Sequence, residues 1–109
     1  MEETAIAAFA SLGQATRLRV FRYLVQAGSD GSPAGRIADD LGILPNTLSA
    51  HLSLLTDAGL VRRSREGRTI RYAADYAGIR RMLGYLMEDC CGGRPELCRP
   101  VINAVACAC

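Results

Sequence analysis

The stretch "PAGRIADDLGILPNTLSAHLSLLTDAG", residues 33–59, constrains this chain more than any other. Ile37, Ala38 and Leu41 recur at helical spacing, as do Leu48, Leu52 and Leu55. Ser32 and Pro33 read as the start of the first helix, and Pro45 fits the first turn of the second, because proline suits the first helical position. Gly42 separates the two, where a left-handed residue commonly ends a helix, and Gly59 stops the second. Helix, tight turn, helix over 33–58 is the helix-turn-helix pattern.

The flanking sequence completes a small fold. Thr4–Leu12 reads as a helix with Ile6, Phe9 and Ala10 on one side, broken by Gly13. Ala15–Ala27 reads as another, with Leu18, Phe21, Leu24 and Val25 at helical spacing and Arg17, Arg19 and Arg22 between them. "LVRRSR" and "RTIRYA" flank "EG" and predict a β-hairpin. A last helix is expected to start after the N-cap Asp75 and run to Gly92-Gly93, with Ile79, Leu83, Leu86 and Cys90 as its apolar stripe. The fold class is therefore mainly α with a small β-hairpin. A single domain suits 109 residues, and few aromatics with no tryptophan favour helices packed on aliphatic side chains.

A net charge of +2 does not by itself announce a nucleic-acid binder, but its distribution does. All 13 basic residues are arginine, and Arg62, Arg63, Arg65, Arg68 and Arg71 crowd the hairpin against one acid, Glu66. Arginine grips phosphate through two parallel hydrogen bonds. On the second helix of the pair, Asn46, Ala50 and Ser53 point away from the leucine stripe, with Thr47 and Ser49 on the flanks and His51 at its edge. A small polar face of this kind suits close approach to a major groove. The bland alternative is a solvated packing unit, which the arginine hairpin directly downstream argues against. For His51, a structural hydrogen bond and base contact weigh equally.

"LSAHLSLLTDAGLVRRSREGRTIRYA", together with the upstream "ATRLRVFRYLV", resembles the winged-helix core of the ArsR/SmtB metalloregulators, over about residues 5–90. The resemblance implies a winged helix-turn-helix protein that dimerises through its first and last helices. It implies a homodimeric repressor that binds double-stranded operator DNA and leaves it when a metal or metalloid binds. The DNA-contacting residues are then expected to be Asn46, Thr47, Ser49, His51, Ser53, Arg65 and Arg68.

Five cysteines remain to be explained: Cys90, Cys91, Cys98, Cys107 and Cys109. An acidic N-terminus without a signal peptide, and no apolar run long enough to span a bilayer, make a cytoplasmic protein with no membrane role the expectation. Disulfides are rare there, so clustered thiols point to metal or redox chemistry. One family variant carries a cysteine pair in the first helix of the motif, but here "GRIADDLG" has none. The zinc-sensing variant uses histidines along the last helix, and here that helix has none. What remains resembles the arsenic-responsive members with a vicinal cysteine pair and a third cysteine beyond the last helix. Trivalent arsenic and antimony are soft and select thiolates. Adjacent helical residues diverge by about 100°, so Gly92-Gly93 would supply the freedom, and Pro95 the return path, that let Cys90, Cys91 and Cys98 meet one ion. A merely buried cysteine pair is the weaker reading.

The expectation is thus a winged-helix domain over 1–89 and a cysteine-rich inducer segment over 90–109. The inducer is arsenic(III) or antimony(III) at Cys90, Cys91 and Cys98, with Cys107 and Cys109 as further thiols, and no organic cofactor. The alternatives are a sensor of cadmium, lead, copper(I) or mercury, a four-thiolate site that includes the tail, and a redox-responsive repressor. A thiol enzyme is not expected, because no phosphate-cradling loop precedes the cysteines. A metal buffer without DNA binding would leave the arginine hairpin unexplained.

Overall fold

The computed structural model describes residues 2–88 and 92–105. In chain order the elements are α1 (Glu2–Leu12), α2 (Ala15–Ala27), β1 (Ser32–Pro33), α3 (Ala34–Leu41), α4 (Pro45–Asp57), β2 (Val61–Glu66), β3 (Thr69–Ala74), α5 (Tyr76–Leu86) and α6 (Pro95–Val105). The strands form one antiparallel sheet in the order β1-β3-β2. This is a winged helix-turn-helix: α3 and α4 are the helix pair, and β2-β3 is the wing.

The core is aliphatic. Leu24 from α2, Ile37 from α3, Leu48, Leu52 and Leu55 from α4, and Leu60 ahead of β2 are its fully buried large side chains, together with Val20. Each such burial is worth about 1.5–3 kcal/mol before entropy is counted. The α4 stripe was legible in the sequence because leucines three and four apart leave that helix one apolar side. Gly42 adopts φ 65° as the left-handed cap of α3, and Pro45 occupies the first turn of α4.

The structure refines some expectations and corrects others. On α1 the inward residues are Ala5, Ala8 and Ser11, while Ile6 and Phe9 are 62% and 38% exposed. Small inward side chains let α1 lie close to its neighbours, and its bulkier face is left outside. On α2, Val20, Phe21 and Leu24 are buried, while Leu18 and Val25 of the spaced set are exposed. A helix does start at this point, with Pro33 one position ahead of its first turn, but Ser32 and Pro33 have a second role that was not expected. They pair with Tyr72 and Arg71 of β3 as a third strand, and Pro33 is the N-cap of α3.

The largest correction concerns the last predicted helix. Asp75 does cap it, accepting from the Gly78 amide at 3.1 Å, but α5 ends at Leu86 with Met87 as C-cap. It does not run on to Gly92. Its inward residues are Gly78 and Met82, with Ile79 half-buried, whereas Leu83 and Leu86 are 43% and 58% exposed. Beyond it, α6 is a helix that was not anticipated. Pro95 opens it, and Leu97, Val101, Ile102 and Val105 form an exposed apolar stripe along it.

Candidate nucleic-acid interface and thiol segment

The buried leucines of α4 fix the direction of its other face. With Leu48, Leu52 and Leu55 anchored, Asn46, Thr47, Ser49, Ala50 and Ser53 are all exposed. They form a small polar surface with no bulk to hold a duplex away. Ser49 also lines a groove shared with Pro45 and Leu48 of α4, Ala34 of α3 and Tyr72 of β3, so α4 and the wing meet in one concavity. His51 is half-buried, and its Nδ1 is buried without a hydrogen-bond partner among the described residues. The structural hydrogen bond weighed for it is therefore absent on that ring edge.

Strand register divides the wing arginines. Residues directly opposite in an antiparallel pair share a face. Val61↔Ala74, Arg63↔Tyr72 and Arg65↔Ile70 form one face, and its inner end, Val61, Tyr72 and Ala74, packs into the core beside α4. Arg63 and Arg65 continue that face beyond the core. Arg65 donates from Nε to the Gly67 carbonyl at 3.3 Å, and Arg68 lies exposed in the turn between the strands. Arg62↔Ala73 and Ser64↔Arg71 form the other face. There Arg62 donates to the Ser29 carbonyl at 3.0 Å, and Arg71 pairs with Glu66 at 2.8 Å and donates to the Asp30 carbonyl at 3.2 Å. Arg63 thus belongs with Arg65 and Arg68 as an outward-facing cation. Alternation along "VRRSRE" would have revealed it.

The wing and α5 share a junction with the end of α4. The Asp75 amide donates to the Leu60 carbonyl at 2.9 Å. Gly78 sits so close to Gly59 that a Cβ built on it would lie 1.7 Å from the Gly59 oxygen. The first turn of α5 is therefore fixed directly against the segment that leaves α4.

Of the predicted thiols, Cys98 is described. It lies in the first turn of α6, partly exposed, with Sγ 3.8 Å from the Pro95 carbonyl oxygen. Cys90, Cys91, Cys107 and Cys109 lie outside the described residues. Among the described residues no group of three or more His, Cys, Asp or Glu could hold a metal ion. No helix among them is long and apolar enough to cross a membrane.

A family described as a helix-turn-helix domain matches residues 12–64. The HTH-type transcriptional regulator CmtR of Mycobacterium bovis is 37% identical over 90 residues, which cover 81% of this chain and 73% of that protein. Among solved structures, the chain is similar to a homodimeric winged helix-turn-helix DNA-binding domain of M. bovis, described as a possible ArsR-family regulator. The TM-score is 0.65 at 25% identity, over 78% of this chain and 76% of the other. It is also similar to an ArsR-like transcriptional regulator from a Rhodococcus species, with TM-score 0.71 at 25% identity, over 99% of this chain and 97% of the other.

Proposed function

Because the chain belongs to the ArsR/SmtB family of winged-helix transcriptional regulators, we propose that it is a homodimeric repressor that releases its operator when arsenic(III) or antimony(III) binds Cys90, Cys91 and Cys98. The observation that carries DNA binding is the exposed polar face of α4 set beside a wing rich in arginine. Asn46, Thr47, Ser49 and Ser53 would address base edges and nearby phosphates, with His51 at the margin of that face. Arg63, Arg65 and Arg68 would hold the flanking backbone. Dimerisation is supported by the exposed Leu83 and Leu86 on α5 and Ile6 and Phe9 on α1.

The inducer assignment rests on donor chemistry. Three thiols fall within the window 90–98, and the chain's single histidine lies on α4. Such a set suits a soft thiophilic ion better than a hard or imidazole-seeking one. Cys90, Cys91 and Cys98 would hold the ion as thiolates, and a trivalent centre supplies three bonds to sulfur. The chain's own residues would do the rest. Cys90 and Cys91 follow closely on α5, whose first turn is tied to Leu60 and Gly59. A change in the segment after Leu86 would therefore act on a helix joined directly to the end of α4. The coupling required is modest: about 3 kcal/mol weakens operator affinity on the order of 100-fold.

The test uses reduced protein on an operator selected from random duplex DNA, followed by fluorescence anisotropy. Arsenite and antimonite should release the DNA. Cys90→Ser, Cys91→Ser and Cys98→Ser should each bind DNA normally and respond weakly, while the Cys107→Ser/Cys109→Ser double variant should still respond. X-ray absorption on the arsenite complex of that double variant should count three sulfurs. A full response from Cys90→Ser/Cys91→Ser would refute the site. Release by cadmium or lead but not arsenite would shift the assignment to a divalent soft-metal sensor.

A further inference from the structure

The five wing arginines resemble one another in sequence, yet their surroundings divide them. Arg62 and Arg71 face away from α4, toward the turn at residues 28–31 that precedes β1. That turn is itself well fixed. The Gly28 amide donates to the Val25 carbonyl at 3.3 Å, and the Gly31 amide to the Gly28 carbonyl at 3.1 Å. Gly31 has φ 67°, and a Cβ there would stand 2.0 Å from the Tyr72 carbonyl oxygen. Only glycine allows the turn to lie this flat against β3. The carbonyls of Ser29, Asp30 and Gly31 are then offered to the wing. Arg62 takes the first at 3.0 Å, and Arg71 takes the other two at 3.2 and 3.4 Å. Glu66 neutralises Arg71 at 2.8 Å across the hairpin.

We propose that Arg62 and Arg71 are positioning residues that clamp the wing to the 28–31 turn and so set its angle to the duplex, without gripping phosphate. Each has donors committed to fixed carbonyls, and Arg71 has its charge matched as well. Arg63 and Arg65 lie on the α4 face of the hairpin by register, Arg68 is exposed in the turn, and Arg65 reaches only the Gly67 carbonyl of that turn. A two-stranded hairpin is marginal by itself. β1 pairs with the edge of β3, and the clamp ties the hairpin to the 28–31 turn on the face opposite α4. An arginine clamp differs from a phosphate contact in one measurable respect. Losing a phosphate contact removes counterion release and flattens the salt dependence by about 0.9 per contact. Losing a clamp weakens binding at every salt concentration alike.

The inference rests on the DNA-binding half of the proposed function, and its test separates the two. Operator affinity is measured across a salt series for the parent protein and for Arg62→Ala, Arg71→Ala, Arg63→Ala and Arg68→Ala. Amide hydrogen exchange of residues 61–74 is measured without DNA. Arg62→Ala and Arg71→Ala should lose on the order of tenfold in affinity, the scale of one charge-assisted hydrogen bond. Their salt slope should match the parent's, and their exchange should quicken in the wing alone. Arg63→Ala and Arg68→Ala should flatten the slope and leave exchange unchanged. Flattened slopes in the Arg62 and Arg71 variants would overturn the clamp, as would unchanged wing exchange. Arg62 is exposed, so its variant decides the matter if Arg71→Ala unfolds. If the parent protein binds no DNA, the proposed function fails, and exchange alone judges the clamp.

Discussion

Gly78 has no side chain, and the space a methyl group would need is already filled. Its ideal Cβ position lies 1.7 Å from the Gly59 oxygen and 2.9 Å from the Gly59 carbonyl carbon, both backbone atoms with little freedom to move. Gly84, on the same helix, has nothing within 4 Å of its Cβ position. The two glycines should therefore respond oppositely to the same substitution. Gly84→Ala should stabilise the protein by about 0.5–1 kcal/mol, since alanine loses less backbone freedom on folding. Gly78→Ala should destabilise it by about 1–3 kcal/mol, because α5 must shift away from the end of α4. Urea denaturation of both variants checks the pair. A neutral Gly78→Ala would mean that the α4–α5 junction is looser than its geometry indicates.

Among the elements, legibility followed local pattern. The helices α3 and α4 were readable because leucine spacing, proline starts and Gly42 agree with one another, and the wing because a glycine turn separates two short runs. The two-residue β1 has no pattern of its own and exists by pairing with β3. On α1, periodicity finds the apolar side of Ile6 and Phe9 without saying what covers it; Ala5 and Ala8 pack inward, and Ile6 and Phe9 do not. The α6 helix was hidden by Pro100, a residue that removes a helical hydrogen bond, although Leu97, Val101, Ile102 and Val105 carried the spacing. In the candidate site, α4's polar face was readable because the leucine stripe determines it. Counting by two along β2 already separates Arg62 from Arg63 and Arg65, but nothing in the sequence marked the 28–31 carbonyls that Arg62 and Arg71 contact. At this scale α4 makes its own prediction. Asn46→Ala and Ser49→Ala should each cost about 1–3 kcal/mol on the selected operator and far less on scrambled duplex. Equal losses on both, by anisotropy at one salt concentration, would make these residues phosphate contacts.

At the scale of the whole molecule, one chain leaves unpaired what a two-fold assembly would cover. Ile6 and Phe9 on α1 and Leu83 and Leu86 on α5 are exposed although they occupy the apolar sides of their helices. The two helices pack on each other within the chain, so these residues can belong to one continuous surface. In an isologous interface each substituted position appears twice and faces the same patch of its partner. A charge introduced there is therefore doubled and loses its water on both sides at once. Leu83→Arg and Leu86→Arg should each yield a folded monomer by sedimentation velocity, with the helical circular dichroism of the parent, because neither side chain is part of the core. Operator affinity should collapse with the dimer. Two reading helices spaced about one helical turn, roughly 34 Å, along the duplex engage two half-sites at once, whereas a monomer engages one. A dimer that survives both substitutions would place the interface elsewhere on the molecule, and the exposed stripe of α6, with Leu97, Val101, Ile102 and Val105, would be the next surface to charge.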